Sequence, residues 1–521
     1  MDNINIDYGK KGKPLPHMWS KCIGAGRACE GLRADWQKQL KTAVEECGFE
    51  YIRFHGLLAE DMFVYREESG IEHYNWYYID SLYDFLLETG IRPLVEFGFM
   101  PSDLASGEGT QFWWKGNVTP PCNYGKWARL VKQLVLHWKE RYGLEEIRQW
   151  YYEIWNEPDL HAFWNGTKSQ YFELYKVSVL AIKEVDASLR VGGPATSNFV
   201  PDSRFDGETE DISAQITHQV EDIDSLSWKG VWIEDFLAYC EKEGLPVDFV
   251  STHPYPTDFA LDGQQNMKGR SRKKESLHED MVWLQKTVRA SAYPNAEIHL
   301  TEWSSSPTSR DYSHDFLPAA DYIVSSNLQC AGMADSLSYW VFTDIFEEVG
   351  GGPESFHGGF GLMNREGIRK PAYHAYRFLH ELGTQEVEKA ENFIASRDKA
   401  GKACLLFWNY ADELKQVVPI SAYPDYQTAE KIEQLGETKE LAVSVEGLRP
   451  DTFFNVEILD KTHTAAYQWR KMGRPENLTK RQQECLAQAG PARDFIKTDA
   501  SGRLEKVFVL EPWSLLLIKE I

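Results

Sequence analysis

Between about residue 18 and residue 382 short apolar runs alternate with amphipathic helical stretches, and that alternation predicts parallel βα units. Trp36, Leu40, Ala43, Val44 and Cys47 recur at helical spacing, with Asp35 placed to cap the helix and Gly48 to end it. Tyr51-Ile52-Arg53-Phe54-His55-Gly56 then reads as a strand. The same grammar gives a strand at Pro93 to Phe97, a helix with Trp127, Leu130, Val131, Leu134, Val135 and Trp138 on one face, and a strand at Trp150 to Trp155. With Met18 to Ile23, Val191 to Gly193, Val247 to Thr252, Ile298 to Trp303 and Leu337 to Phe342, eight strands are expected. Eight strands separated by helices fit an α/β chain closed into one (β/α)8 TIM barrel with enlarged loops better than an open sheet.

From about residue 384 the pattern changes to short strands separated by turns, at Cys404 to Trp408, Leu441 to Val445, Phe453 to Ile458, Val507 to Leu510 and Trp513 to Ile518. The expected organisation is a catalytic barrel over residues 15–383 and a small all-β domain over residues 384–521. Residues 1–14 are expected to join the small domain, because the polar stretch from Gly9 to Pro14 separates them from the first barrel strand.

Charge narrows the function. Acidic residues outnumber basic ones 79 to 56, for a net charge of -23, and such a field repels phosphate backbones and anionic membrane surfaces. Nucleic acid and membranes are therefore not expected partners. The 18 Trp and 25 Tyr supply flat faces suited to stacking on sugar rings. No run approaches the roughly 20 apolar residues of a membrane helix. The opening residues lack an apolar signal-peptide centre, so a cytoplasmic location is expected, or a periplasmic or secreted one had a leader been removed. The eight cysteines show no CxxC or Cys/His ligand spacing, which predicts buried free thiols and neither a zinc site nor a disulfide framework.

In a closed barrel of this kind the active site lies at the C-terminal ends of the strands. Two carboxylates fall there. Glu157 follows the fourth strand in Glu153-Ile154-Trp155-Asn156-Glu157-Pro158-Asp159-Leu160, where a proline halts the strand and leaves the acid at the rim. Glu302 ends the seventh in His299-Leu300-Thr301-Glu302-Trp303. Cleaving a glycosidic bond takes such a pair, one carboxyl protonated to expel the leaving oxygen and one ionised to attack or to activate water. Asn156 can reach the same mouth and hydrogen-bond a sugar 2-hydroxyl, and Arg53, ending the second strand, can hold Glu302 ionised. Each has a plain alternative, as a solvated loop carboxylate or a member of a structural ion pair. The scheme calls for no metal or organic cofactor.

Trp-Asn-Glu-Pro after strand four and a lone Glu after strand seven resemble the clan of retaining barrel glycosidases. Tyr51 to Gly56, Glu96-Phe97-Gly98-Phe99-Met100-Pro101, Trp114 to Pro121, Glu153 to Leu160, Phe346-Glu347-Glu348 and Phe356 to Leu362 narrow the resemblance to glycoside hydrolase family 39, particularly its β-xylosidases. Trp469-Arg470-Lys471-Met472-Gly473-Arg474-Pro475 extends it into the small domain. The resemblance implies a C-terminal accessory β-sandwich, net retention and exo-action on β-xylosides from the non-reducing end. It makes Glu157 the acid/base and Glu302 the nucleophile, and it puts Asn156, His55 and Glu348 on the sugar. Phe163-Trp164 and Trp340 would wall the pocket, Tyr255 would partner Glu302, and His253 would lie on a pocket-lining loop. A homo-oligomer is within the family's range.

The chain departs from the pattern at Trp303-Ser304-Ser305-Ser306-Pro307 and in the prolines of Thr252-His253-Pro254-Tyr255-Pro256, both beside the pocket, while His314-Asp315 matches. Activity of the α-L-iduronidase or arabinosidase type, or a catalytically silent sugar-binding barrel, therefore stands beside the first reading. Retention requires the two carboxyl groups to lie roughly 5 to 5.5 Å apart.

Overall fold

The computed structural model describes residues 2–160, 162–197, 232–261, 267–272, 274–411 and 425–521. Eight parallel strands close into a barrel: β1 (Cys22–Arg27), β2 (Tyr51–His55), β3 (Arg92–Phe97), β4 (Tyr151–Ile154), β5 (Arg190–Thr196), β6 (Phe249–Thr252), β7 (Glu297–Trp303) and β8 (Ser336–Tyr339). Eight helices follow them in turn: α1 (Ala34–Cys47), α2 (Tyr77–Thr89), α3 (Tyr124–Tyr142), α4 (Lys168–Val185), α5 (Ile233–Glu243), α6 (Ser276–Ala290), α7 (Leu317–Gln329) and α8 (Pro371–Glu381). Among the described residues no helix is long and apolar enough to cross a membrane.

Two expectations are corrected at the first unit. Met18 to Ser20 form a single 3-10 turn, because Ser20 N–H and Lys21 N–H donate to His17 and Met18 carbonyls; the ladder starts only where Cys22 meets Tyr51. Helix α1 starts at Ala34, with Asp35 inside its first turn and ion-paired to Arg33 at 2.9 Å, so Asp35 does not cap it. Gly48 ends the helix as expected, in the left-handed region at φ 71°. All eight cysteines are unpaired, but Cys122 and Cys485 are exposed rather than buried.

Side chains alternate along a strand, so every second residue of the barrel strands meets the axis. The lower layer is apolar and aromatic: Tyr51, Leu94, Tyr151 and Phe249 pack there with Cys22. One step up the same strands carry Arg53, Glu96 and Glu153, all buried. A further step brings His55, Glu302 near the end of β7 and, just beyond the ends of β4 and β6, Glu157 and His253, all buried. The barrel is thus greasy at its floor and ionic at its mouth.

Three two-stranded hairpins lie in the loops after β2, β3 and β6, and the other described strands form two sheets. Asp2–Asp7 pairs in parallel with Lys439–Glu446, which pairs antiparallel with Leu504–Leu510. The second sheet runs Lys13–Pro14, Gln385–Ala390, Phe393–Arg397, Ala403–Trp408, Leu515–Glu520, Phe453–Leu459 and Ala492–Lys497. Ile4, Val443 and Phe508 of the first share one core with Phe393, Leu405, Phe454 and Ile518 of the second, which makes a β-sandwich. Trp408 and Leu517 turn the other way into the barrel's core, and Arg377 of α8 ion-pairs with Glu457 at 2.6 Å.

Candidate active site

The chain leaves β4 under strain. Trp155 and Glu157 both hold positive φ, 73° and 43°, in a region that costs a non-glycine residue about 1–3 kcal/mol. Neighbours over-determine the bend: Glu157 N–H donates to the Ala195 carbonyl of β5 at 2.8 Å, and the Trp155 indole donates to the Phe163 carbonyl at 2.7 Å. At β7 the pairing with β8 slips between Leu300 and Trp303. Such an irregularity re-aims side chains, and here two consecutive residues, Thr301 and Glu302, both reach the interior. Thr301 donates to Glu153 at 2.8 Å, while Glu302 accepts from Tyr255 at 2.5 Å.

An oxygen of Glu157, a ring nitrogen of His253 and an oxygen of Glu302 all lie within 4.8 Å of one another. One oxygen of each acid thus comes within 4.8 Å of the other, as the shorter separation of a covalent mechanism requires. The same three donors are the one group among the described residues close enough to hold an ion.

The partners of the two acids differ in kind. Thr301 spends its hydrogen on Glu153, itself ion-paired to Arg53 at 2.6 Å, so toward His253 Nε2, 3.1 Å away, it can only accept. Burial drives the His253 pKa well below its ordinary value, and the imidazole is neutral. Its one hydrogen is then on Nε2, and its Nδ1 lone pair faces Glu157 Oε1 at 2.9 Å. Only a protonated Glu157 completes that bond. Burial first, then the charges of Glu302 and Asp159, push the Glu157 pKa well up, against Arg53. Glu302 is also raised by burial, but Arg53, His55 and the Tyr255 hydroxyl oppose the rise.

Arg53 is fully buried and shared. It pairs with Glu153 at 2.6 Å, Glu96 at 3.0 Å and Glu302 at 3.5 Å, and donates to Asn156 Oδ1 at 2.8 Å. Its grip on Glu302 is thus the longest of the four, and with no exposed surface it positions acids rather than touching substrate. His253, equally buried, does the same. Asn156 keeps its Nδ2 without a partner, buried beside Glu157. His55 lies 2.7 Å from Glu96 through Nδ1 and 3.6 Å from Glu348 through Nε2.

Aromatic rings collar His55: Trp340 at 4.7 Å, Phe99 at 5.8 Å, Phe163 at 6.2 Å and Phe112 at 6.3 Å between centroids. Gly24 of β1 makes room for Trp340, since a methyl group there would lie 2.5 Å from the indole. Trp164 is placed differently from its expected role as a wall. It is fully buried behind the collar, edge-on to Trp155 at 5.1 Å, with its indole donating to the Thr167 carbonyl. Glu96, Glu153 and Thr301 were not singled out in the sequence as site residues. Their signal was charge and hydroxyl at inward positions of strands whose other inward residues are apolar.

A closed parallel barrel with two adjacent, unequal glutamates at the ends of its fourth and seventh strands defines a barrel glycoside hydrolase. The chain belongs to glycosyl hydrolases family 39, whose sequence profile matches residues 2–210 and 224–505. It is 38% identical over 495 residues to a beta-xylosidase of Caldicellulosiruptor saccharolyticus, covering 93% of this chain and 91% of that one. A beta-xylosidase of Geobacillus stearothermophilus is 36% identical over 501 residues, 94% of this chain and 90% of the relative. The crystal structure of a monomeric beta-xylosidase from Caulobacter crescentus superimposes with a TM-score of 0.83 at 32% identity, covering 100% of this chain and 99% of that one.

Proposed function

We propose that the protein is a retaining β-xylosidase that releases xylose from the non-reducing end of short β-xylosides, with Glu302 as nucleophile and Glu157 as acid/base. The observation that carries the mechanism is the close, unequal pair: Glu157 bonded as a donor to His253, and Glu302 as an acceptor from Tyr255 and Arg53. Glu302 attacks the anomeric carbon as Glu157 exchanges its bond to His253 for one to the glycosidic oxygen and protonates it; the C–O bond to the leaving group breaks as the glycosyl ester forms. Glu157, now ionised, takes a proton from water, which displaces Glu302 and restores both carboxyls. Asn156 Nδ2 meets the sugar 2-hydroxyl, Glu348 and His55 meet further hydroxyls, and Trp340 and Phe163 wall the ring.

The sugar assignment leans on the two beta-xylosidase relatives and on charge. A uronide would bring its carboxylate among Glu157, Glu302 and Glu348, with the Arg53 charge already shared among four groups, so like-charge repulsion disfavours the iduronide reading. The test is a panel of aryl glycosides with NMR observation of the first-formed anomer. Fast turnover of β-D-xyloside giving β-xylose first, insensitive to chelators, is expected. α-Xylose first would refute retention, and faster turnover of an α-L-iduronide or α-L-arabinoside would refute the sugar assignment.

A further inference from the structure

Glu30 has no part in the chemistry above, yet its side chain is buried at 2% exposure. Carboxylates are rarely buried without a task. It lies in the single turn Ala28–Leu32 that follows β1. One oxygen accepts the Arg27 N–H at 3.2 Å, the ordinary reach of a first-turn acid back to the residue before the turn. The other oxygen accepts the N–H of Glu347 at 3.0 Å, in the loop after β8, the strand that pairs with β1 to close the barrel. Arg27 and Arg33 then grip the Glu347 carboxylate itself, at 2.9 and 3.1 Å. Glu347 is thus held by its backbone and by both of its oxygens, always from the β1 side.

Space has been left for this arrangement: a methyl group on Gly26 would lie 2.4 Å from the Glu30 carboxylate. Beyond Val349 the chain runs Gly350-Gly351-Gly352, with Gly350 at φ 78° and nothing within 4 Å of a methyl placed on Gly351. Glycines fix little. The residue between the clasp and the glycines is Glu348, whose carboxylate stands 3.6 Å from His55. The clasp fixes the residue directly before Glu348, whereas the nearest polar holds beyond it, Arg310 on the Gly350 carbonyl at 3.0 Å and Arg365 on the Gly352 carbonyl at 2.8 Å, lie two and four residues away.

We propose that Glu30, together with Arg27 and Arg33, is a positioning clasp that sets the Glu348 carboxylate against the sugar, so that recognition at the β8 rim is governed from the loop after β1. The proposal rests on the reading of Glu348 as a sugar contact. A displacement of about 1 Å at such a contact costs up to about a hundredfold in rate. A double-mutant cycle on aryl β-xyloside hydrolysis tests it, with E30Q, E348Q and the double variant, each checked for fold by thermal melting. E30Q is expected to lower kcat/KM on the order of tenfold or more in the wild-type background, and by less than about twofold once E348Q is present, because residues acting through one another are not additive. Equal losses in both backgrounds, or a folded E30Q of wild-type kcat/KM, would overturn the clasp. If E348Q alone kept wild-type kcat/KM, the sugar-contact reading would be what had failed. Should E30Q not fold, R33M removes one arm at a half-exposed position, and additivity with E348Q overturns the proposal in the same way.

Discussion

Two buried ionic clusters stand at the C-terminal side of the barrel, and they spend their charges differently. Lys370, fully buried before α8, pairs with Asp315 at 2.7 Å and Asp344 at 2.6 Å and donates to the Gly359 carbonyl at 2.8 Å. The second oxygen of each acid accepts a backbone N–H, from Gly358 and Gly361, both at 2.7 Å. Burial works against the lysine's charge, but the two aspartates outweigh it and its pKa is raised. The cluster is closed by the chain itself, and it pins the loop after β8 to the segment before α7. At the mouth, Arg53 serves Glu96, Glu153 and Glu302 at once, while Glu157 has a neutral histidine and Asn156 has an amide with no partner. Acid is in excess there and the hydrogen bonding is incomplete. A buried polar network left open in this way costs stability, and it is completed by what binds.

The comparison breaks first at Glu302. Replacing it by alanine should lower turnover by on the order of a millionfold, the scale seen when a nucleophile acting in a unit is removed. Azide should restore part of it, giving α-xylosyl azide because the small anion enters the vacated face. Glu157→Ala comes next, at roughly a hundredfold to ten-thousandfold, with the loss small for aryl leaving groups that need no proton and large for xylobiose. If both variants lost the same factor on every leaving group, the two roles would not be distinct. Neither variant should lower the melting temperature, since each removes an acid from an over-acidic cluster.

The opposite is expected of the closed cluster. Lys370→Met leaves Asp315 and Asp344 buried without their cation, and breaking a buried pair in this way costs about 3–5 kcal/mol. Denaturant unfolding measures it. A Lys370→Met protein as stable as the wild type would show that the cluster does not hold the loops, and the contrast with the mouth would collapse.

Only one of these clusters was legible in the sequence. Glu157, Glu302, Asn156 and Arg53 could be read because a strand's end and its two-residue period say where a side chain must point. Lys370 and Asp344 come from opposite ends of the connection between β8 and α8 and Asp315 from the one before α7, and no local pattern announces that they meet; His314-Asp315 stood out only as a family match. Glu30 was invisible for the same reason. In the sandwich five strands were readable, whereas Gln385–Ala390, Ala492–Lys497 and the apolar Phe393–Arg397 were not. The second is an edge strand of the larger sheet, exposed along most of its length, and edges carry the charged residues that discourage further pairing. Asp35 misled because an acid near a helix start serves as well in the first turn, beside Arg33, as at the cap.

The smallest expected effect sharpens the comparison most. Asp159 accepts the Ser197 N–H at 2.9 Å and its hydroxyl at 2.5 Å, and burial pushes its pKa up to about 6. Above that pH it is a negative charge that helps hold the proton on Glu157. Loss of that proton sets the alkaline limb of kcat/KM, so a group whose pKa is raised keeps the enzyme active to higher pH. Asp159→Asn keeps an acceptor for Ser197 but removes the charge; the Glu157 pKa falls and the alkaline limb moves to lower pH. The acid limb, set by Glu302 through burial, Arg53, His55 and Tyr255, should stay where it is. Asp344→Asn in the closed cluster should move neither limb and should lower stability instead. An alkaline limb that stayed fixed in Asp159→Asn, or rose, would mean that Glu157 owes its proton to burial and Glu302 alone.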